Sequence, residues 1–351
     1  MKQKTVKSVL ELIGQTPVIR LNSFSRDTGH EIFAKVEYFN PGGSIKDRIA
    51  LNMIEQAEKR GELKPGGLII EATSGNTGLG LAMVAAVKGY QCIFVMPAKI
   101  SEEKQAILKA YGAKIIITPI GVGPDDPRSY YSVARKLVEN SPNCFYANQF
   151  FNPDNPNTHY LSTGPELWDQ MDGKLDAFVG GAGTGGTLSG VGKFLREKNP
   201  AVKIVCADPV GSILYDLFYH GKVIDPPKAY KVEGVGEDML PDNVQLQHMT
   251  DFFQVTDLQS FTLTRQIVQK EGLCVGPSSA MALQGALDIS KKLPKGSRIL
   301  VLFPDHGRAY LSKVFNDRWM IDNELLDEEK ATSGFAKIQN MDEYYKERGW
   351  N

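Results

Sequence analysis

Short apolar runs alternate with longer helical stretches along most of the chain, and a glycine or polar turn separates each run from the stretch after it. The runs that predict buried strands lie at 68–70, 92–96, 115–117, 177–179, 203–207 and 298–303. The stretches that predict helices lie at 79–88, 101–112, 187–198 and 280–292. Strands that alternate with helices of this length are typical of parallel βαβ units. We therefore predict an α/β fold whose open twisted sheets carry helices on their faces.

Proline and asparagine interrupt this pattern between residues 140 and 155, which predicts a boundary between two halves. The segments 119–128 and 226–242 are typical of surface loops. The charged segment that follows Asp327 predicts an appendage rather than a domain. A chain of 351 residues has room for two domains, at about 100–200 residues each.

Composition excludes several classes of protein. The 40 Lys and Arg residues nearly balance the 41 Asp and Glu residues, so no basic surface for nucleic acid is indicated. The sequence has neither a signal peptide nor a run of about 20 apolar residues, and we expect a cytoplasmic protein without membrane contact. The four cysteines are widely spaced, and the five histidines form no metal-binding motif. We expect no disulfide and no metal site, and we expect the histidines to be exposed or hydrogen-bonded.

Three glycine-containing turns carry the chemical signal. The first, NPGGSIKDR at 40–48, places Lys46 in the first turn of a predicted helix that Ser44 would cap. The helix dipole disfavours an ammonium there and would lower its pKa, as an imine-forming lysine requires. An ordinary solvated lysine is the alternative.

The second turn, TSGNTG at 73–78, follows a predicted strand and opens a helix. Backbone N–H groups at a helix start, with hydroxyl and amide side chains beside them, suit a carboxylate or a phosphate. A capped strand-to-helix turn without a ligand is the alternative.

The third turn, GAGTGGT at 181–187, also follows a predicted strand. Its glycines lack the Cβ atoms that would keep a phosphate from the backbone donors. The same glycines fit G-x-G-x-x-G, and Asp208 lies where a dinucleotide enzyme places its ribose-binding acid. A NAD-dependent dehydrogenase is therefore an alternative, although such an enzyme has no use for Lys46. A phosphate cradle, a carboxylate cradle and a lysine of lowered pKa together favour a pyridoxal-phosphate enzyme that acts on an amino acid.

On these residues the chain resembles the β-replacement family of pyridoxal-phosphate enzymes, which has fold type II (tryptophan synthase β-like) and includes cysteine synthase and cystathionine β-synthase. The resemblance runs from about Leu10 to Met320 and rests on GQTPVIRL, NPGGSIKDR, EATSGNTG, GAGTGGT, EGVG and GPSS. Other stretches, among them VMPAKISEEK, VEGVGEDMLP and NDRWM, are more similar to the catalytic core of cystathionine β-synthase.

The resemblance implies a role for each matching residue. Lys46 would be the catalytic residue, binding the cofactor and moving the α-proton. The implied cofactor contacts are Lys46, Asn76, Gly183, Thr184, Gly185, Gly186, Thr187 and Ser278. The implied substrate contacts are Thr73, Ser74, Gly75, Thr77, Gln149, Gly234 and Glu237. Asn76 would bond the cofactor's ring oxygen, and Ser278 would face its pyridine nitrogen, cap the helix at 280–292, or do both.

Two residues depart from the family pattern. Pro277 stands where relatives usually carry glycine, and Glu237 stands where animal forms of cystathionine β-synthase carry tyrosine. The Glu237 carboxylate would face the incoming nucleophile and attract the ammonium of homocysteine. A solvated acidic loop tip is the alternative.

The implied activity is that of a lyase that forms L-cystathionine from L-serine, or an activated serine, and L-homocysteine through an aminoacrylate. Cysteine synthase activity, with O-acetylserine and sulfide, is the alternative within the family. The implied smaller domain is 43–150, the larger cofactor-binding domain is 1–42 plus 151–325, and the appendage is 326–351. We expect a homodimer without haem and without adenosylmethionine control.

Overall fold

The computed structural model describes residues 5–73, 75–98, 102–120, 122, 126–328, 342, 345, 346 and 349. Within them, the strands are β1 (Val18–Arg20), β2 (Glu31–Val36), β3 (Leu68–Ala72), β4 (Gln91–Pro97), β5 (Lys114–Thr118), β6 (Cys144–Tyr146), β7 (Ala177–Gly181), β8 (Lys203–Pro209), β9 (Asp251–Val255) and β10 (Arg298–Phe303). The helices are α1 (Asn22–Thr28), α2 (Lys46–Arg60), α3 (Asn76–Lys88), α4 (Glu102–Ala110), α5 (Tyr130–Glu139), α6 (Asp154–Thr158), α7 (Gly164–Gln170), α8 (Gly186–Lys198), α9 (Leu214–His220), α10 (Asp257–Glu271), α11 (Pro277–Ser290) and α12 (Asp317–Asp322). A π-helical turn, His159–Thr163, joins α6 to α7.

Six of the strands form one sheet, in the order β1-β2-β10-β7-β8-β9. Only the edge strand β1 runs antiparallel to its neighbour among these described strands. Side chains of α10 and α11 pack on one face, while those of α7 and α8 pack on the other. Because both faces are covered, the inner strands are continuously apolar, as in the sequence RILVLF of β10.

The other four strands form a parallel sheet in the order β5-β4-β3-β6. Helices α2 and α3 pack on one face, and α5 packs on the other. Gly80 lets α3 approach α2 closely, since a Cβ there would lie 3.0 Å from Ala50 Cβ and 3.1 Å from Lys46 O. This contact fixes the first turn of α2, which carries Lys46.

The predicted α/β class is confirmed, and several elements match closely. Strand β10 has the predicted bounds, α8 begins one residue earlier than predicted, and α3 begins three residues earlier than predicted, at Asn76. Ser101, the first residue of the predicted helix at 101–112, lies outside the described residues, as does most of the predicted appendage. Residues 68–146 supply every strand of the four-stranded sheet, while the predicted domain boundaries stay a prediction.

The segment 226–242 is only partly the surface loop that its composition predicts. Its first four residues are exposed, but Val232 and Val235 are buried. Gly236 N donates to Ala182 O at 2.7 Å, and Val235 packs beside Gly181. Two apolar side chains thus turn this half of the segment inward, against the third glycine turn.

Candidate active site

A cavity at the carboxyl end of β7 brings several predicted site residues together. Its lining includes residues from the first and third glycine turns, the 226–242 segment and the start of α11. The predicted residues that line it are Lys46, Gly183, Thr184, Gly185, Thr187, Gly234 and Ser278. Ligand sites in open α/β sheets lie at such strand ends. Gly186 and the remaining predicted site residues stand outside the lining among the residues that the structure describes.

Lys46 is the first residue of α2, and its backbone N–H donates to Ser44 Oγ at 3.2 Å. The helix thus begins one residue later than the sequence predicts, with Ser44 still accepting a terminal N–H. Burial lowers the pKa of the Lys46 ammonium, although the charges of Asp305 and Glu237 oppose this shift. Among the described residues, its ammonium has no hydrogen-bond or salt-bridge partner. A partly buried amine without a counter-ion suits reversible proton transfer and nucleophilic attack.

The third glycine turn is packed so tightly that larger residues would collide. A Cβ on Gly183 would lie 2.5 Å from Gly234 O. One on Gly185, whose φ is +80°, would lie 2.3 Å from Val244 Cγ2. Gly185 is also the N-cap of α8, so the free backbone N–H groups of the first helical turn of α8 lie beside this loop. The arrangement is a cradle for an anion of phosphate size.

Two buried side chains that the sequence analysis missed support this cradle. Asn155 Nδ2 donates to Thr184 Oγ1 at 3.0 Å and to Gln149 O at 2.8 Å. His159 Nε2 lies 3.2 Å from Thr187 Oγ1. Burial, with the charges of Arg48 and Lys46, holds the pKa of His159 well below its usual value. His159 is therefore neutral, and the expectation of a hydrogen-bonded histidine is confirmed for it.

Ser278 lies in the first turn of α11 and is 4% exposed. The interpretation of Ser278 as the N-cap of this helix is wrong, because Gly276 is the N-cap. Pro277 takes the first helical position, where its missing N–H has no cost, and so starts the helix earlier than predicted. Ser278 instead lines the cavity that Lys46 also lines.

The second glycine turn is held by side chains rather than by close backbone packing. Thr77 Oγ1 donates to Gln149 Oε1, and Asn76 Nδ2 donates to Asp305 Oδ2 at 2.8 Å. Thr73 Oγ1 accepts from Gly75 N at 3.4 Å. The predicted contact Ser74 lies outside the described residues.

A buried acidic residue, Glu71, lies next to the turn that carries Gln149. Glu71, near the end of β3, is 1% exposed; the backbone N–H groups of Asn148 and Gln149 lie beside its carboxyl and oppose the rise in its pKa, while its Oε2 has no hydrogen-bond partner among the described residues. Burial raises the pKa of Glu71 to about 8. Glu71 therefore fixes the backbone of the turn that carries Gln149.

Glu237 lies in the inward-facing half of the 226–242 segment and is partly buried. Its backbone N–H donates to Ser212 Oγ at 3.1 Å. Burial and the neighbouring Asp238 raise the pKa of Glu237 to about 8, while the charge of Lys46 opposes this. Burial raises the pKa of Tyr130 and Tyr131 at the start of α5, and the charge of Glu237 adds to the rise. The side chain is thus a partly buried carboxyl rather than a solvated loop tip.

The dinucleotide alternative finds no support at Asp208. This residue is fully buried at the end of β8, and its carboxylate accepts from Tyr215 N at 3.0 Å. It therefore supports the start of α9 instead of facing a ligand. In the described part of the chain, no cluster of three or more His, Cys, Asp or Glu residues could hold a metal ion, and no helix is long and apolar enough to cross a membrane.

Comparison with known proteins agrees with this geometry. A family model for pyridoxal-phosphate dependent enzymes matches residues 9–305. The chain is 46% identical over 326 residues to cystathionine beta-synthase of Apis mellifera, covering 90% of this chain and 63% of that protein. It is 44% identical over 308 residues to the O-acetylserine dependent cystathionine beta-synthase of Bacillus subtilis, covering 88% of this chain and 97% of that protein.

The solved structures add a close structural neighbour. A hydrogen sulfide-producing enzyme from Fusobacterium nucleatum has a TM-score of 0.80 and 38% identity, covering 88% of this chain and 99% of its own. The chain spans about three fifths of the length of the animal relatives that it matches.

Proposed function

Since the chain belongs to the family of pyridoxal-phosphate dependent enzymes, we propose that it joins L-serine, or a serine with an activated hydroxyl, to L-homocysteine and forms L-cystathionine. The observation that carries this proposal is the similarity, over about nine tenths of the chain, to relatives named cystathionine beta-synthase. The placement of Lys46 beside a phosphate-sized cradle supports it.

The described residues fit the cofactor of this family. Gly183 and Gly185 of the third turn line the cavity while packing against Gly234 and Val244, and Thr184 and Thr187 line the same cavity. Ser278, which lines the same cavity, would offer its hydroxyl to the ring nitrogen. Gly183 through Thr187 would hold the phosphate, Lys46 would hold the aldehyde carbon, and Asn76 would bond the ring oxygen. When bound, the cofactor supplies an electron sink for the bond broken at the Cα of the amino acid.

Lys46 performs the proton transfers in this proposal. Burial lowers its pKa, so Nζ, once the substrate amine has displaced it from the aldehyde carbon, would take the α-proton of the amino acid and give a proton to the departing hydroxyl, which would leave as water. Thr73, Ser74, Gly75, Thr77 and Gln149 would bind the substrate carboxylate. The Gln149 amide oxygen already accepts from Thr77, which leaves its N–H groups to donate to that carboxylate. A hydroxyl at Ser278 does not hold a ring nitrogen protonated, and this favours β-elimination over transamination.

Glu237, together with Gly234, would contact the incoming thiol substrate. With a pKa of about 8, most of the free Glu237 carboxyl is protonated at pH 7, and the ammonium of homocysteine would favour its ionised form. We expect Glu237→Ala to lower kcat/KM for homocysteine about tenfold and to leave kcat/KM for sulfide within twofold. Equal losses with both nucleophiles would contradict this role.

Cysteine synthase activity is the second candidate, and the name of the Bacillus subtilis relative supports O-acetylserine as a donor. Steady-state assays would compare each donor, serine or O-acetylserine, with each acceptor, homocysteine or sulfide. We expect the highest kcat/KM with homocysteine as acceptor. A large preference for O-acetylserine with sulfide would overturn the proposal in favour of cysteine synthase.

We further propose a homodimer that works in the cytoplasm, on the resemblance to the family alone. Sedimentation velocity of the purified protein tests the first point, since a monomer at micromolar concentration would contradict it. Fractionation of the source cells tests the second.

A further inference from the structure

Asp305 lies two residues after β10 and is 3% exposed. Its backbone touches two segments that carry candidate cofactor contacts. Asp305 forms an antiparallel bridge with Ser44, and Ile45 N donates to Pro304 O at 2.9 Å, directly before Lys46. On the other side, Gly276 N donates to Asp305 O at 3.2 Å, two residues before Ser278.

The Asp305 side chain reaches a third segment. Its Oδ2 accepts from Asn76 Nδ2 at 2.8 Å and from Tyr310 OH at 2.7 Å. Asn76 begins the helix that follows the four-stranded sheet, while Asp305 follows a strand of the six-stranded sheet. The Asn76 bond therefore joins the two sheets across the site. Asp305 Oδ1, by contrast, is buried without a hydrogen-bond partner in the described part of the chain.

We propose that Asp305 is the positioning residue that orients the Asn76 amide toward the cofactor's ring oxygen and ties that amide to the backbone before Lys46. This inference rests on the proposed function, because it presumes that the cavity binds pyridoxal phosphate.

The chemistry of the amide supports this role. An asparagine side chain has two N–H donors on one end and an acceptor oxygen on the other, and rotation exchanges the ends. A carboxylate accepts only from the donor end, so Asp305 selects the orientation in which Nδ2 points into the gap between the sheets. One N–H is then bonded to Asp305, and the second stays available for an oxygen of the cofactor.

The surroundings of Asp305 keep this bond in place. A Cβ on Gly276 would lie 2.2 Å from Asp305 Oδ1 and 2.7 Å from Tyr310 Cε2. Glycine at 276 thus leaves room for the Asp305 carboxylate at this distance from Asn76. Tyr310 is 5% exposed and holds the same oxygen from the other side.

A second route from Asp305 to the site is electrostatic, because its charge raises the pKa of Lys46 against the effect of burial. The two routes make different predictions. If Asp305 acts through Asn76, removing Asn76 must remove the effect of Asp305. If it acts only through its charge on Lys46, its effect must survive without Asn76.

The test compares cofactor binding by wild-type, Asp305→Ala, Asn76→Ala, the double variant and Tyr310→Phe. Each apoprotein is titrated with pyridoxal phosphate, followed by protein fluorescence and by the visible absorption of the bound cofactor. We expect Asp305→Ala and Asn76→Ala each to raise Kd about tenfold and to change the absorption band in the same way. The double variant should be no weaker than Asn76→Ala within twofold. Tyr310→Phe, which spares the Asn76 bond, should raise Kd less than threefold.

Multiplicative losses in the double variant, or wild-type affinity and absorption in Asp305→Ala, would overturn the inference. Asp305→Ser gives the same comparison if Asp305→Ala does not yield folded apoprotein, as judged by thermal unfolding without cofactor. A wild-type protein that binds no pyridoxal phosphate would overturn the proposed function as well. Failure of the double-variant comparison alone leaves the proposed function standing.

Discussion

The glycine turns at 73–78 and 181–187 both follow a parallel strand and open a helix, yet they are built in opposite ways. In the 181–187 turn, added Cβ atoms on Gly183 and Gly185 would lie within 2.5 Å of backbone or side-chain atoms. In the 73–78 turn, a Cβ on Gly75 would meet nothing within 4 Å, and the nearest atom to one on Gly78 would be Thr73 Cγ2, within the turn itself, at 2.8 Å. The 181–187 turn is shaped by the exclusion of side chains at its glycines, and the 73–78 turn is shaped by the hydrogen bonds that its side chains make. A fixed group such as a cofactor phosphate suits the first design, and an exchanging substrate suits the second.

The largest effect is expected at Lys46, which lies beside the packed turn and begins the helix against which α3 packs. Lys46→Ala should lower turnover about a thousandfold or more and remove the visible absorption of the lysine-bound cofactor. The exposed Lys109 on α4 offers a matched control, and Lys109→Ala should stay within twofold of wild type. Full β-replacement activity in Lys46→Ala would show that the site lies elsewhere.

Gly185→Ala tests the packed turn. Both its φ of +80° and the contact with Val244 oppose a side chain, so we expect unfolding free energy to fall by about 2–4 kcal/mol. Cofactor affinity should fall with it, because the N-terminal turn of α8 must move. Denaturant unfolding of the apoprotein and titration with pyridoxal phosphate measure the two losses. Wild-type stability would mean that this turn is not defined by packing.

Gly75→Ala is the matched substitution in the 73–78 turn. With free space around the new methyl group, the unfolding free energy should stay within about 1 kcal/mol of wild type. The methyl group would stand in the proposed carboxylate site, so we expect KM for serine to rise severalfold while cofactor affinity is unchanged. A loss of cofactor affinity as large as that of Gly185→Ala would erase the distinction between the two turns.

Glu71→Gln tests the buried carboxyl group beside the 73–78 turn and its partner Gln149, and it has the smallest expected effect. Burial raises the pKa of Glu71 from 4.5 to about 8, so between these values the folded state holds a proton that the unfolded state has lost. Unfolding free energy therefore falls as pH rises from about 5 to 8. In Glu71→Gln this fall should be shallower in denaturant unfolding, unlike in the exposed control Glu139→Gln. Equal slopes in all three proteins would contradict the raised pKa.

The sequence predicts those elements of the fold that depend on residues close together in the chain. Strand β10 and helix α8 were predicted almost to the residue, because a buried parallel strand is a continuous apolar run and a glycine turn marks the helix start. The predicted start of α11, at residue 280, is three residues too late, because Pro277 occupies the first helical position. The segment 226–242 is rich in turn residues and was therefore predicted to be exposed. Its two buried valines, Val232 and Val235, are the local signal for the part that packs inward.

The supporting side chains could not be predicted in the same way. Asn155 bonds Thr184 from 29 positions away, and Asp305 bonds Asn76 from 229 positions away. No periodicity connects such pairs, since their contact depends on how the two sheets meet. The only local signal was the polar character of NPDNPN and PDHG, which is equally typical of surface turns.

The most direct test of the account is to reduce the purified holoenzyme with borohydride and to map the modified peptide by mass spectrometry. Borohydride fixes a cofactor joined to a lysine through an imine. The account predicts loss of the visible absorption band and a phosphopyridoxyl group on Lys46, stoichiometric with the chain. Modification of another lysine, or a colourless protein with no modified peptide, would contradict it.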